Sequence, residues 1–234
     1  MIPNSHKTSL RIIGHRGAPS LAPENTLESF CLASDMGLKE VEFDLRLSRD
    51  GVPMIIHDAS LKRTHNITSR VAHTTAKNLV LHGVPTLDDV LDLLHEKKLH
   101  ATVEIKSCSI GALPQIVRQI KSLNLTLSSF DINWPIQASQ LDSDLSLQWT
   151  VEKLTEFHPM VTPQIVLRGR MCEIAADIRH LTQEGVDRAK AMGLSVLAYT
   201  VKTQSQLEKA QRLGVDGIFV DNAPQIMEWL RVKP

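Results

Sequence analysis

Glu40-Val41-Glu42-Phe43-Asp44-Leu45 has the length and apolar content of a buried strand, yet carries two carboxylates beyond its first residue. Successive side chains of a strand point to opposite faces, so Glu42 and Asp44 face the same way. Upstream, the run Leu10–Gly14 ends in His15-Arg16-Gly17. Downstream, Pro53–Ile56 ends in His57-Asp58. Further runs of strand character lie at Ala101–Ile105, Leu125–Ser129, Leu145–Thr150, Ser195–Thr200 and Gly217–Val220, making eight in all. Ile165–Leu167 and Cys172–Ala175 fit either short strands or loop.

Helical patterns separate most of these runs. Leu87, Val90, Leu91 and Leu94 follow the i, i+3, i+4, i+7 stripe of an amphipathic helix, and Ile116, Val117, Ile120 and Leu123 repeat it. Asn25 with Glu28, and Thr203 with Gln206, read as capping-box starts, and Gly214 suits a helix stop. Strands alternating with helices predict an α/β fold with a parallel sheet. Eight such units, with no Gly-x-Gly-x-x-Gly and no Walker A loop, favour a (β/α)8 TIM barrel over an open doubly wound sheet. The chain, residues 1–234, reads as a single domain, within the usual range for such barrels.

Composition narrows the function. Lys plus Arg and Asp plus Glu number 26 each, so the formal charge is zero. That argues against binding nucleic acid by phosphate neutralisation and against a polybasic membrane anchor. Cys31, Cys108 and Cys172 are odd in number and form no CxxC, which disfavours a disulfide framework or a cysteine–zinc site. Residues Met1 to Lys7 lack the apolar core of a secretory leader, and no apolar run approaches the ~18 residues of a membrane span. A soluble cytoplasmic protein without stable membrane association is expected.

The polar residues cluster at the C-terminal ends of the strands, the end that builds the open face of a barrel. Glu42, Asp44 and Glu104 could surround a divalent ion, and an all-oxygen set suits Mg2+ or Ca2+ better than Zn2+. The alternative is that they are edge residues or ion-pair partners of Arg46 and Lys106. His15 and His57 each stand at a strand end beside a charged residue, positions suited to proton transfer near neutral pH. Arg16 and Lys106 supply positive charge in the same region, to hold an anion, to neutralise the carboxylates, or both.

In order along the chain stand Ile13-Gly14-His15-Arg16-Gly17, Ala22-Pro23-Glu24-Asn25-Thr26, Glu42-Phe43-Asp44, Asp50-Gly51 and Ile56-His57-Asp58. Pro85-Thr86-Leu87, Val103-Glu104-Ile105-Lys106, Ser128-Ser129-Phe130, Tyr199-Thr200-Val201 and Gly214-Val215-Asp216-Gly217-Ile218 follow. Together they closely resemble the glycerophosphodiester phosphodiesterase family over about residues 11–224, most of all its compact cytoplasmic bacterial type. The resemblance implies a TIM barrel, a divalent metal, and hydrolysis of small glycerophosphodiesters to an alcohol and glycerol 3-phosphate. It implies that Glu42, Asp44 and Glu104 hold the metal, that His15 and His57 are the acid–base pair, and that Arg16 and Lys106 contact phosphate. His57 is favoured as the leaving-group acid and His15 as the base, roles that the residues alone leave interchangeable. Asn25 is expected to shape the first loop near the metal and phosphate. Phe130 and Tyr199 are expected to wall the glycerol pocket, plain barrel packing being the alternative.

This chain departs from the family at Lys202, where Asn is common, and at Val220, where Thr is common. The segment 59–84 is shorter than in many members, and 151–180 matches poorly. Two rival functions would leave other marks on the sequence. A lysophospholipase D-type activity would be marked by an exposed apolar loop at the barrel mouth. A catalytically silent binding barrel should have lost at least one of His15, Glu42, Asp44, His57 or Glu104, and all five are present.

Overall fold

In the computed structural model, strand β1 (Arg11–His15) pairs in parallel with two neighbours, β2 (Glu40–Leu47) and β9 (Gly217–Val220). That double pairing closes the sheet. Residues 10–154 and 171–231 are described. Between β2 and β9 run β4 (His100–Ile105), β5 (Thr126–Ser129), β6 (Ser146–Val151), β7 (Met171–Asp177) and β8 (Ser195–Val201), each parallel to the next. Among the described residues these make a closed barrel of eight parallel strands, a TIM barrel.

Two strand expectations change. Pro53–Ile56 was expected to supply a barrel stave. Instead β3 (Pro53–Ile55) runs antiparallel to the end of β2, outside the ring. The eighth stave is β7, whose core Cys172–Ala175 fitted strand or loop equally. Its sequence alternates poorly because Glu173 faces an ion pair and Ala175 lines a cavity. The run Ile165–Leu167 lies outside the described residues.

The helices follow the sequence closely. Helix α1 (Leu27–Asp35) comes after β1, α2 (Lys62–His65) and α3 (Ala76–Leu81) after β3, and α4 (Leu87–Lys97) before β4. Then come α5 (Leu113–Ser122), α6 (Asn133–Leu141), α7 (Gln183–Ala191), α8 (Gln204–Leu213) and α9 (Ala223–Arg231). Leu87, Val90, Leu91 and Leu94 all bury their side chains against the barrel, each worth about 1.5–3 kcal/mol relative to exposure. Thr203 and Gln206 form the expected capping box on α8, and Gly214 ends it in the left-handed region at φ 68°. On α1 the cap is Thr26, which accepts from the Ser29 amide, and not Asn25. Asn25 is used elsewhere, as described below.

Outside the ring, Phe30 of α1 meets Phe43 of β2 edge-on at 5.7 Å, within one apolar layer that continues around the barrel. Met54, Ile56, Leu61, Val71, Leu79 and Val84 form a second small core under segment 59–84. At the N-terminal end of the barrel, Arg11 ties Glu40 of β2 to Glu173 of β7. Among the described residues no helix is long and apolar enough to cross a membrane.

Candidate active site

The C-terminal strand ends converge on one cavity of about 180 Å³. His15, Arg16, Glu42, His57, Glu104, Lys106, Phe130 and Tyr199 all line it. The remaining expected residues, Asp44 and Asn25, lie just behind this lining.

The loop after β1 turns sharply to bring Arg16 over the site. Arg16 adopts a left-handed φ of 57°, a strained choice for a residue with a Cβ, and Gly17 follows at 91°. A Cβ on Gly17 would lie 2.4 Å from the Ser29 hydroxyl, so only glycine fits. The Arg16 carbonyl accepts from the Asn25 amide at 3.0 Å and from Ser29 Oγ at 3.1 Å, which locks the loop. Asn25 is itself left-handed, at φ 59°. Its side chain donates Nδ2–H to Asp44 Oδ2 at 2.8 Å and accepts from the Asp44 amide at 3.3 Å. Asn25 therefore shapes the loop and fixes a carboxylate.

Glu42, Asp44 and Glu104 are buried, and each offers an oxygen within 4.8 Å of the others. They are not edge residues. Lys106 Nζ lies 3.2 Å from Asp44 Oδ1 and 2.5 Å from Glu104 Oε1, and Arg16 Nε lies 3.2 Å from Asp44 Oδ2. Arg46 instead donates to the His57 carbonyl at 2.6 Å. Three carboxylates thus face two cations, one of which Glu24 shares at 2.9 Å from Arg16 Nη1. Burial, with the charges of Asp44 and Glu104 beside it, pushes the Glu42 carboxyl well above its ordinary range. Burial acts the same way on Glu104. Burial opposes ionisation of Asp44 too, but Lys106 and Arg16 outweigh it and hold Asp44 low. Glu42 Oε1 is buried with no hydrogen-bond partner among the described residues, whereas Asp44 Oδ1 and Glu104 Oε1 face the Lys106 ammonium. Three buried, acceptor-only carboxylates grouped this closely, with two cations to face them, fit a hard divalent cation.

Each histidine is backed by an aspartate. His15 Nδ1 lies 2.6 Å from Asp221 Oδ1, and His57 Nδ1 lies 2.7 Å from Asp58 Oδ1. A carboxylate can only accept, so Nδ1 carries the proton in both rings and Nε2 is left for chemistry. Each aspartate is in turn held by a cation. Lys202 Nζ is 2.8 Å from Asp221 Oδ2, and Arg63 of α2 bonds both oxygens of Asp58 at 2.7 and 3.2 Å. Arg63 also grips Glu24 through two bonds of 2.8 and 2.6 Å. A continuous chain therefore runs from His57 through Asp58, Arg63, Glu24 and Arg16 to Asp44. Burial draws the His57 imidazole below its ordinary value, against the pull of Asp44 and Asp58.

Phe130 and Tyr199 meet edge-on at 5.9 Å, and Lys106 Nζ sits 5.3 Å from the Phe130 ring centre. Phe130 is half exposed, so it walls the cavity and is not core packing. Asp221 is the polar end of the last strand, on the predicted open face, but nothing in the sequence pairs it with His15; Arg63, Gln148 and Thr150 carry no such mark. Asp58 carried a signal through its place next to His57. Asp221 lies 206 residues from its histidine, and only closure of β9 onto β1 joins them.

The profile of the glycerophosphoryl diester phosphodiesterase family matches residues 15–224. The chain belongs to that family. It is 25% identical over 241 residues to a glycerophosphodiester phosphodiesterase of Caldanaerobacter subterraneus, covering 94% of this chain and 97% of that one. A glycerophosphodiester phosphodiesterase of Bacillus altitudinis is 27% identical over 233 residues, covering 90% and 94%. Among solved structures, an Oleispira antarctica phosphodiesterase in complex with the product sn-glycerol-3-phosphate superposes with a TM-score of 0.82. It is 24% identical, with 94% of this chain and 96% of that chain covered. A Thermotoga maritima glycerophosphodiester phosphodiesterase gives 0.80 at 23% identity, covering 94% and 97%. These two likenesses speak to the fold. Its homologues make this chain an enzyme of the phosphodiesterase class.

Proposed function

We propose that this enzyme hydrolyses small glycerophosphodiesters to an alcohol and glycerol 3-phosphate with the help of Mg2+ or Ca2+. The observation that carries the reading is the meeting, at one cavity, of three clustered, buried carboxylates and two aspartate-backed histidines.

Glu42, Asp44 and Glu104 would hold the cation, which when bound supplies positive charge to the phosphate oxygens. Arg16 and Lys106 add fixed positive charge aimed at the same oxygens, where charge must be stabilised in the transition state. Asn25 orients Asp44. One histidine, neutral, takes a proton at Nε2 from the attacking water, or from a glyceryl hydroxyl whose cyclic phosphate water then opens; the other, as the doubly protonated imidazolium, donates a proton from Nε2 to the departing alkoxide. Asp58 and Asp221 hold both rings by Nδ1–H, which fixes the tautomer of the base and supports the positive charge of the acid. Phe130 and Tyr199 exclude water from one side of the substrate.

A second reading, head-group release from lysophospholipids, draws on one observation. Leu21, Ile110 and Phe130, on the loops after β1, β4 and β5, are exposed at the barrel mouth. Turnover of glycerophosphocholine and lysophosphatidylcholine by the wild type, His15→Ala and His57→Ala proteins separates the two. The proposal expects release of glycerol 3-phosphate from the first substrate and its loss in both folded variants. Preference for the lysolipid would replace it with the second reading, and near-normal kcat in either variant would overturn the acid–base roles.

A further inference from the structure

The interior of the barrel below the histidines is divided into a polar and an apolar half. Strand register places Asp44, Glu104, Ser128 and Gln148 on one rung across β2, β4, β5 and β6. The rung begins with two carboxylates and ends in two neutral groups that are almost wholly buried, at 1% exposure for Ser128 and 2% for Gln148. Ser128 Oγ and Gln148 Oε1 have no hydrogen-bond partner among the described residues. Both residues line the cavity that holds Glu104 and Lys106. Gln148 Nε2 donates to Thr150 Oγ1 at 3.2 Å, which orients the amide and leaves its oxygen as a bare acceptor. The remaining strands bring in Ala175, beside Thr150 on the neighbouring β7, and Phe219 of β9, part of an apolar cluster with Ile13 and Leu197.

Such a slot suits a ligand with hydroxyls on one side and C–H groups on the other. The slot is one part of the cavity of about 180 Å³, which the phosphate shares. We infer that Gln148 and Ser128 read the terminal hydroxyl of the three-carbon moiety that keeps the phosphate, while Ala175 and Phe219 cover its C–H face. The inference rests on the substrate class proposed above and deepens it. The phosphate is held at Arg16 and Lys106, so the hydroxyl farthest from it is the one that reaches the neutral end of the rung. A ligand that enters without this hydroxyl strips water from Gln148 Oε1 and gives nothing back, and so binds poorly. A site built around a substrate hydroxyl discriminates far more sharply than an apolar one of the same size. Gln148 is a specificity residue for a free, unacylated glyceryl group.

The test is calorimetric binding of sn-glycerol 3-phosphate and of propane-1,2-diol 1-phosphate, which lacks the terminal hydroxyl, in the presence of Mg2+. The wild type is expected to bind the glyceryl ligand roughly 10- to 100-fold more tightly. Gln148→Met, of similar shape, should lose most of that preference by weakening the glyceryl ligand alone. Ser128→Ala, a smaller change, should narrow it in the same direction. Equal wild-type affinity for the two ligands would overturn the inference, as would variants that weaken both ligands alike. Turnover is a separate readout. A binding preference without diesterase activity would sink the proposed reaction and leave the hydroxyl reader standing.

Discussion

Asp221→Asn isolates the part of the site that chain separation hides best. The wild-type carboxylate accepts from His15 Nδ1–H through Oδ1 at 2.6 Å and faces Lys202 Nζ through Oδ2 at 2.8 Å. An asparagine cannot serve both partners. With its carbonyl toward His15, its NH2 group meets the Lys202 ammonium, donor against donor. Turned the other way, it satisfies Lys202 but offers an N–H to His15 Nδ1. That moves the imidazole proton to Nε2, the wrong tautomer for a base. The second orientation wins because it avoids the ammonium. Removing a partner that orients a functional histidine typically costs about 10- to 100-fold. The upper end is about 2.7 kcal/mol of transition-state stabilisation. The loss should fall on kcat more than on KM, since Asp221 does not line the cavity that holds Glu42, Glu104 and Lys106. Steady-state release of glycerol 3-phosphate from glycerophosphocholine gives both constants. The account makes a further demand. Adding Lys202→Met to Asp221→Asn frees the amide to turn its carbonyl to His15, and activity should partly return. A single variant within twofold of wild-type kcat, or a double variant no better than the single, would refute the reasoning.

Three other outcomes follow from the same geometry. A glycerophosphodiester with a p-nitrophenol leaving group needs no proton to depart, so it should restore turnover to whichever of His15→Ala and His57→Ala lacks the acid; rescue of neither or both would refute the division of labour. Arg63, through its hydrogen bonds, holds the Asp58 carboxyl below its ordinary range, and it helps to lower Glu24 as well. A depressed carboxylate contributes stability above its unfolded value, near 3.8 for Asp, and loses it as pH falls toward the folded value. Arg63→Ala should therefore move the acid-unfolding midpoint to higher pH in a circular-dichroism titration, and an unchanged midpoint would contradict the brace. A Cβ on Gly14 would lie 2.3 Å from the Gly17 carbonyl oxygen, so Gly14→Ala should cost about 1–3 kcal/mol in denaturant unfolding.

Legibility in the sequence followed the range of the interaction. The stripe of α4 and the capping box of α8 depend on residues three or four apart, and both appear as read. The shared face of Glu42 and Asp44 follows from strand alternation alone, and the structure brings them together with Glu104. Pro53–Ile55 has a strand's composition, but composition does not name a strand's partner, and β3 pairs backwards onto β2. Strand β7 was obscured because its residues answer to remote groups: Glu173 to Arg11, and Ala175 to the cavity. Asn25 looked like a helix cap since caps and site residues draw on the same short polar side chains. Its left-handed backbone and its bond to Asp44 give it to the site. Arg63 sits on a four-residue helix with no periodicity to mark it.

The central claim is that the buried carboxylates hold a divalent cation which the hydrolysis requires. Glycerol 3-phosphate release from glycerophosphocholine, measured with Mg2+, with Ca2+ and with EDTA, tests it most directly. The account predicts turnover with at least one of the two metals, its loss in EDTA, and its return when that metal is restored in excess. Full activity in EDTA on extensively dialysed protein would contradict it.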